Sequence, residues 1–109
     1  MQIISFLDAN DVVFTATLDG AQYKIRMLWN ENGGFWTISL RTTDNVSLLE
    51  GVKAVPDFPL LAPYHSPKLP PGEIMVTAFD ASTQTVFRDD FANSKVALVY
   101  VTEDEINAI

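Results

Sequence analysis

Between Gln22 and Arg41 the chain reads QYKIRMLWNENGGFWTISLR, with apolar side chains at every second position on both sides of a glycine-bearing loop. Tyr23, Ile25, Met27 and Trp29 alternate with Lys24, Arg26, Leu28 and Asn30, and a period of two is the pleat of a half-buried strand. Past the loop Glu31 to Gly34, Trp36, Ile38 and Leu40 alternate in the same way with Thr37, Ser39 and Arg41. The segment is a β-hairpin.

The neighbouring residues extend that hairpin into a meander. Gln2 to Leu7 and Val12 to Leu18 are short β-prone runs divided by the turn-forming cluster Asp8 to Asp11, and the second run puts Phe14, Ala16 and Leu18 on one face. Asp19-Gly20 then separates Leu18 from the next strand, as a type I′ turn with positive φ at both central residues requires. A polar turn at Thr42 to Asn45 leads into a strand over Val46 to Val55, in which Gly51 marks a bulge or a close approach. Glu73 to Phe79 and Ala97 to Val101 are two further strands, with a polar loop over Asp80 to Lys95 between them. Thr102 and Glu105 have the spacing of a capping box, which predicts one or two helical turns over Thr102 to Ile109.

The remaining segment is unlike the rest. Six prolines, at 56, 59, 63, 67, 70 and 71, fall between Pro56 and Gly72 and remove the backbone donors that a helix or a central strand needs. It also carries Phe58, Leu60, Leu61, Tyr64 and Leu69, too much apolar surface for a solvated linker. Two readings stand side by side: an extended arm whose Phe58, Leu60, Leu61 and Tyr64 anchor a neighbouring subunit, or a long loop that caps its own domain. The expected architecture is all-β. It is a small partly closed barrel or sandwich of six to seven antiparallel strands over residues 1–109, with a proline-rich extended arm at 56–72.

Charge and residue type narrow the chemistry. Fourteen acidic residues against seven basic ones give a net charge of −7, which opposes binding to phosphate backbones. Without cysteine there is no disulfide, thiolate nucleophile or cysteine zinc site. The first residues lack the pattern of a signal peptide and no run is long enough to span a membrane, so a soluble intracellular protein is expected. His65 has no second histidine to complete a metal site. Asp89 and Asp90 are adjacent, so on a strand they would face opposite sides, and with Asp80 they match no calcium loop. Asn32-Gly33-Gly34 lacks the context of a phosphate cradle, and Ser5, Ser39, Ser47 and Ser66 lack that of a nucleophile elbow. No catalytic, cofactor or metal residue is assigned. Trp29, Phe35 and Trp36 could form a stacking platform, which makes a small carbohydrate- or ligand-binding module the alternative to a protein-contact role.

One resemblance runs through most of the chain. Asp19-Gly20, Tyr23-Lys24-Ile25-Arg26 leading to Trp29-Asn30, Gly34-Phe35-Trp36, Leu49-Glu50-Gly51-Val52, Pro59-Leu60-Leu61 with Tyr64, and Leu98-Val99-Tyr100-Val101 follow one another over residues 12 to 102. In that order and spacing they resemble the small plug proteins of contractile-tailed phage baseplates, typified by a cyanophage baseplate plug. Arg26, Asn30, Phe35 and Trp36 fall on positions of that pattern, whereas Phe91 and Ala92 stand where it has a leucine-glycine step. The resemblance implies a virion structural protein of the tail baseplate that helps close the hub and tail-tube end through protein contacts. It would be made in the host cytoplasm, have no enzymatic activity or cofactor, and bind neither nucleic acid nor membrane. Its implied partners are other baseplate subunits, with a homo-oligomer or symmetric ring in the virion.

Overall fold

Alternation becomes two antiparallel sheets in the computed structural model, which describes residues 2–62, 69–79 and 86–107. The strands are β1 (Gln2–Ile4), β2 (Asp11–Leu18), β3 (Ala21–Asn30), β4 (Phe35–Thr42), β5 (Ser47–Lys53), β6 (Glu73–Ala78) and β7 (Val96–Val101), and a short helix α1 spans Glu103–Asn107. The meander forms one sheet in the order β2-β3-β4-β5, and the other runs β1-β7-β6. The sheets do not close into a barrel, so the expectation of a barrel or a sandwich resolves to two separate layers. Among the described residues no helix is long and apolar enough to cross a membrane.

The layers meet through the side chains that the period of two singled out. Tyr23, Ile25 and Met27 of β3 and Trp36, Ile38 and Leu40 of β4 share one buried cluster with Ile74 and Val76 of β6 and Val96, Leu98 and Tyr100 of β7. Asp19 and Gly20 have φ of 51° and 82°, as the two-residue turn demands. Gly51 has φ of 62°, its N–H is accepted by Ser39 Oγ at 2.9 Å, and the β4–β5 register shifts beside it, so the expected irregularity is a bulge. The capping box forms: Glu105 N–H donates to Thr102 Oγ1 at 3.2 Å and Thr102 N–H to Glu105 Oε1 at 3.1 Å.

Several boundaries move. The first strand stops at Ile4 because Phe6 turns inward and stacks on Phe14, with ring centroids 5.6 Å apart and planes at 8°. The 86–95 segment is not wholly a polar loop, since Val86 and Asp90 are buried and Phe91 packs edge-on against Phe6 and Trp36. Phe91 thereby fills an aromatic cluster at the position where the resemblance had led to leucine.

The described part of the proline-rich segment lies on its own domain, so an arm extended away from it is not what residues 54–62 form. Ala54 N–H donates to Trp36 O at 2.9 Å, and the chain then crosses from the β5 side to the β6 edge. There Pro56 bridges Val76 in parallel, Asp57 N–H reaches Val76 O at 2.7 Å, and Leu60 N–H reaches Ile74 O at 3.0 Å. Glu73 Oε1 accepts from Leu61 N–H at 2.6 Å and from Ile74 N–H at 3.0 Å. One flank of the sandwich is thus joined by backbone bonds. On the other flank, among the described residues, the outer edges of β1 and β2 take no strand partner and are tied by Gln2 Nε2 donating to Thr17 O at 3.1 Å.

Candidate interaction surface

The four contact candidates separate once folded. Leu60 and Leu61 are 1 % and 5 % exposed and belong to the domain's own core cluster, where they hold the crossing segment down. Phe58 is 49 % exposed, two residues before the first of them. Tyr64 and His65 lie outside the described residues, as does Asp80. The pattern has a local cause: Asp57 takes up a left-handed φ of 57°, which turns the chain so that Phe58 leaves the surface while Leu60 returns to it.

Trp29, Phe35 and Trp36 do not make a platform, which corrects the alternative ligand-binding reading. Trp29 and Trp36 are cross-strand partners on the core face, in T-shaped contact at 5.6 Å. Trp36 is 1 % exposed, and its Nε1–H donates to Phe87 O at 3.3 Å. Phe35, next in sequence, faces the opposite side of the sheet beneath Lys53 Nζ, 5.1 Å from the ring centroid. Three aromatics of one hairpin are thereby divided between two faces.

The carboxylates serve the scaffold. Asp90 Oδ2 accepts from Phe87 N–H at 2.8 Å, and its carbonyl accepts from Lys95 N–H at 2.9 Å, so it shapes the loop ahead of β7. Arg88 donates to Asp8 Oδ1 at 2.7 Å and to Asn10 Oδ1 and lies over the Trp36 ring, latching that loop to the β1–β2 connection. Asp11 is gripped by Arg26 through two hydrogen bonds of 2.9 and 2.7 Å, which hold its carboxyl below the usual range. Ser47 and Arg41 lower Glu50 likewise. Among the described residues no three His, Asp or Glu side chains form a metal-binding group. A cleft of about 300 Å³ opens beside β1, walled by Ile3, Phe6, Phe79, Phe91 and Ala97, with Ser5, Asp8 and Ser94 as its polar members.

What reaches solvent is apolar in several places: Ile3, Leu7, Val13, Val46, Phe58, Phe79, Phe87 and Ile106 are all exposed. Single exposed apolar residues are ordinary, but Val13 lies on β2, an edge strand whose outer side takes no strand partner among the described residues. Sequence reasoning missed this surface because it depends on which strands become edges. The alternation in β2 does mark Val13 as an outward apolar residue.

No curated protein matches this chain. A family profile described as "Cyanophage baseplate Pam3 plug gp18" matches it over residues 1–103 of 109. With nearly the whole described fold inside that match, the chain belongs to the cyanophage baseplate plug family.

Proposed function

We propose that this protein is a structural part of a phage tail baseplate and helps plug the hub and tail-tube end through protein–protein contacts. The family match over residues 1–103 carries this reading. The geometry is compatible with it: a two-layer body around one core, side-chain polar groups used for scaffold bonds, and apolar groups such as Phe58 left on the surface. Its partners are neighbouring baseplate subunits and further copies of itself. Phe58, with Tyr64 near it in sequence, supplies contacts of the proline-rich segment, and Leu60 and Leu61 act by fixing that segment in place. The net charge of −7 suits a body beside a channel that carries DNA, because like charge repels the nucleic acid. No catalytic step and no cofactor are part of this role. The protein is made in the host cytoplasm and ends in the virion.

Purified virions test the reading directly. Antibody labelling in electron micrographs should mark the distal end of the tail, and mass spectrometry should find the chain in intact particles. Absence from virions, or label on the capsid alone, would remove it.

A further inference from the structure

We infer that the unassembled protein pairs with a second copy of itself edge to edge, β2 against β2, through a twofold axis beside Phe14. The inference concerns the free chain and stands apart from the role proposed in the tail.

Edges of sheets are normally guarded, and here three of four are. The β6 edge is covered by Pro56, Asp57 and Leu60. β5 is bulged at Gly51 and carries Glu50 and Lys53. β1 is three residues long. β2 is the least guarded: it is eight residues long, pairs with β3 without a register shift, contains no proline, glycine or lysine, and has as its devices only Asp11, paired with Arg26, and the Gln2 amide on Thr17 O at one end.

The register states which of its backbone groups are free. Leu18 and Ala21 close the two-residue turn, so Leu18, Ala16, Phe14 and Val12 exchange hydrogen bonds with β3, and Thr17, Thr15, Val13 and Asp11 point theirs away. Two bonds agree with this phase: Asn10 O accepts from Trp29 N–H at 2.7 Å on the β3 side, and Thr17 O accepts from the Gln2 side chain on the other. Among the described residues nothing pairs with the outward N–H and C=O of Val13 and Thr15.

Local charge favours a like copy. The chain carries −7, yet this strip is nearly neutral: Val13, Thr15 and Thr17 have no charge, and Asp11 is matched by Arg26 at 2.7 Å. Val13, 60 % exposed, lies in the middle of this strip. An antiparallel pair that sets Val13 opposite Thr15 of the second copy lets both residues exchange their outward bonds. The same register places Asp11 opposite Thr17, with no like charges facing, and Phe14 opposite its own mate at a non-hydrogen-bonded site, where side chains come closest. Phe14 is only half-buried in the single copy, so the aromatic row it begins with Phe6 continues across the axis. The two four-stranded sheets then form one sheet of eight.

Sedimentation velocity on the purified full chain over a concentration series tests the pairing, with amide hydrogen exchange as the local readout. A dimer is expected, and protection of the Val13 and Thr15 amides should rise with its population. Thr15→Pro deletes only an outward N–H and leaves the β2–β3 bonds intact, so it should weaken dimerisation roughly tenfold to a hundredfold while preserving the melting transition. Val13→Lys places a guarding charge on the same edge and should act in the same direction, which covers a Thr15→Pro chain that fails to fold. A chain that stays monomeric at millimolar concentration overturns the pairing. So does a dimer that survives both variants, or one that leaves the Val13 and Thr15 amides exchanging freely.

Discussion

The hydroxyl of Tyr100 donates to Asp19 Oδ2 at 2.6 Å and accepts from Gly72 N–H at 2.8 Å, joining the last strand, the β2–β3 turn and the end of the proline-rich segment at one point. The ring is fully buried, and Asp19 also accepts from Glu103 N–H at 3.1 Å, which fixes the start of α1. Tyr100→Phe keeps the ring but leaves the Gly72 amide and the Asp19 carboxylate each one partner short. The expected cost is about 1–3 kcal/mol, read from urea denaturation.

The same group sets an alkaline limit. Burial raises the Tyr100 hydroxyl well above its ordinary value, helped by the bond to Asp19, and burial raises Tyr23 as well. The folded state therefore holds these protons more tightly than the unfolded state, whose tyrosines titrate near ~10. Their contribution is complete below that pH and declines as pH rises toward the folded values. Stability measured between pH 8 and 11 should fall at the upper end, and Tyr100→Phe should flatten the fall.

Gly72 and Gly34 separate two reasons for glycine. A Cβ at Gly72 would lie 2.1 Å from Val101 O and 2.6 Å from the Tyr100 ring, so Gly72→Ala must displace β7 and should cost about 1–3 kcal/mol or more. At Gly34 the φ is +70° and the space around a Cβ is open, which leaves only the left-handed backbone penalty of about 1–2 kcal/mol. Thermal melts of the two alanine variants should rank them in that order.

Within the proline-rich segment, Leu60→Ala should lower the stability of the isolated protein by about 2–5 kcal/mol, as for other fully buried leucines. Phe58→Ala should change it by only about 0.5 kcal/mol in either direction, since the ring is half in solvent. Paired chemical denaturation curves decide this. Equal effects would mean that Phe58 is part of the core.

Asp90→Ala removes the acceptor of the Phe87 amide and should loosen the loop that supplies Phe87 O to the Trp36 indole. A loss of about 1–3 kcal/mol is expected, together with a red shift of tryptophan emission as water reaches that cluster.

The meander was legible because β2, β3 and β4 obey a two-residue period and are punctuated by turn residues whose φ is forced, as at Asp19-Gly20, while β7 was legible as a continuous apolar run. The family pattern was legible for the same reason, being written in strand and turn residues from Asp19 to Val101. Side-chain destinations were less so. Leu60 and Phe58 have similar apolarity, and only the left-handed Asp57 between the crossing and the β6 edge decides which of them turns inward. Phe35 and Trp36 differ by one step of the pleat, so grouping them by sequence adjacency was bound to fail. Val86 and Phe91 become core because Asp90 bends the loop back on itself, a long-range outcome with no local period. The split into two sheets likewise depends on β7 inserting between β1 and β6.

The Pro56 crossing has a mechanical consequence. On that side, force that separates the two layers is resisted by the chain itself and by backbone hydrogen bonds from Ala54 to Leu60, whereas elsewhere the layers are held by bonds that each use a side chain: Tyr100 and the Glu103 amide on Asp19, the Gln2 amide on Thr17, and the Arg88 latch. Strength is therefore distributed like that of a bound book, with a spine and a fore-edge. β1, three residues long and at the fore-edge, is the element expected to let go first under load.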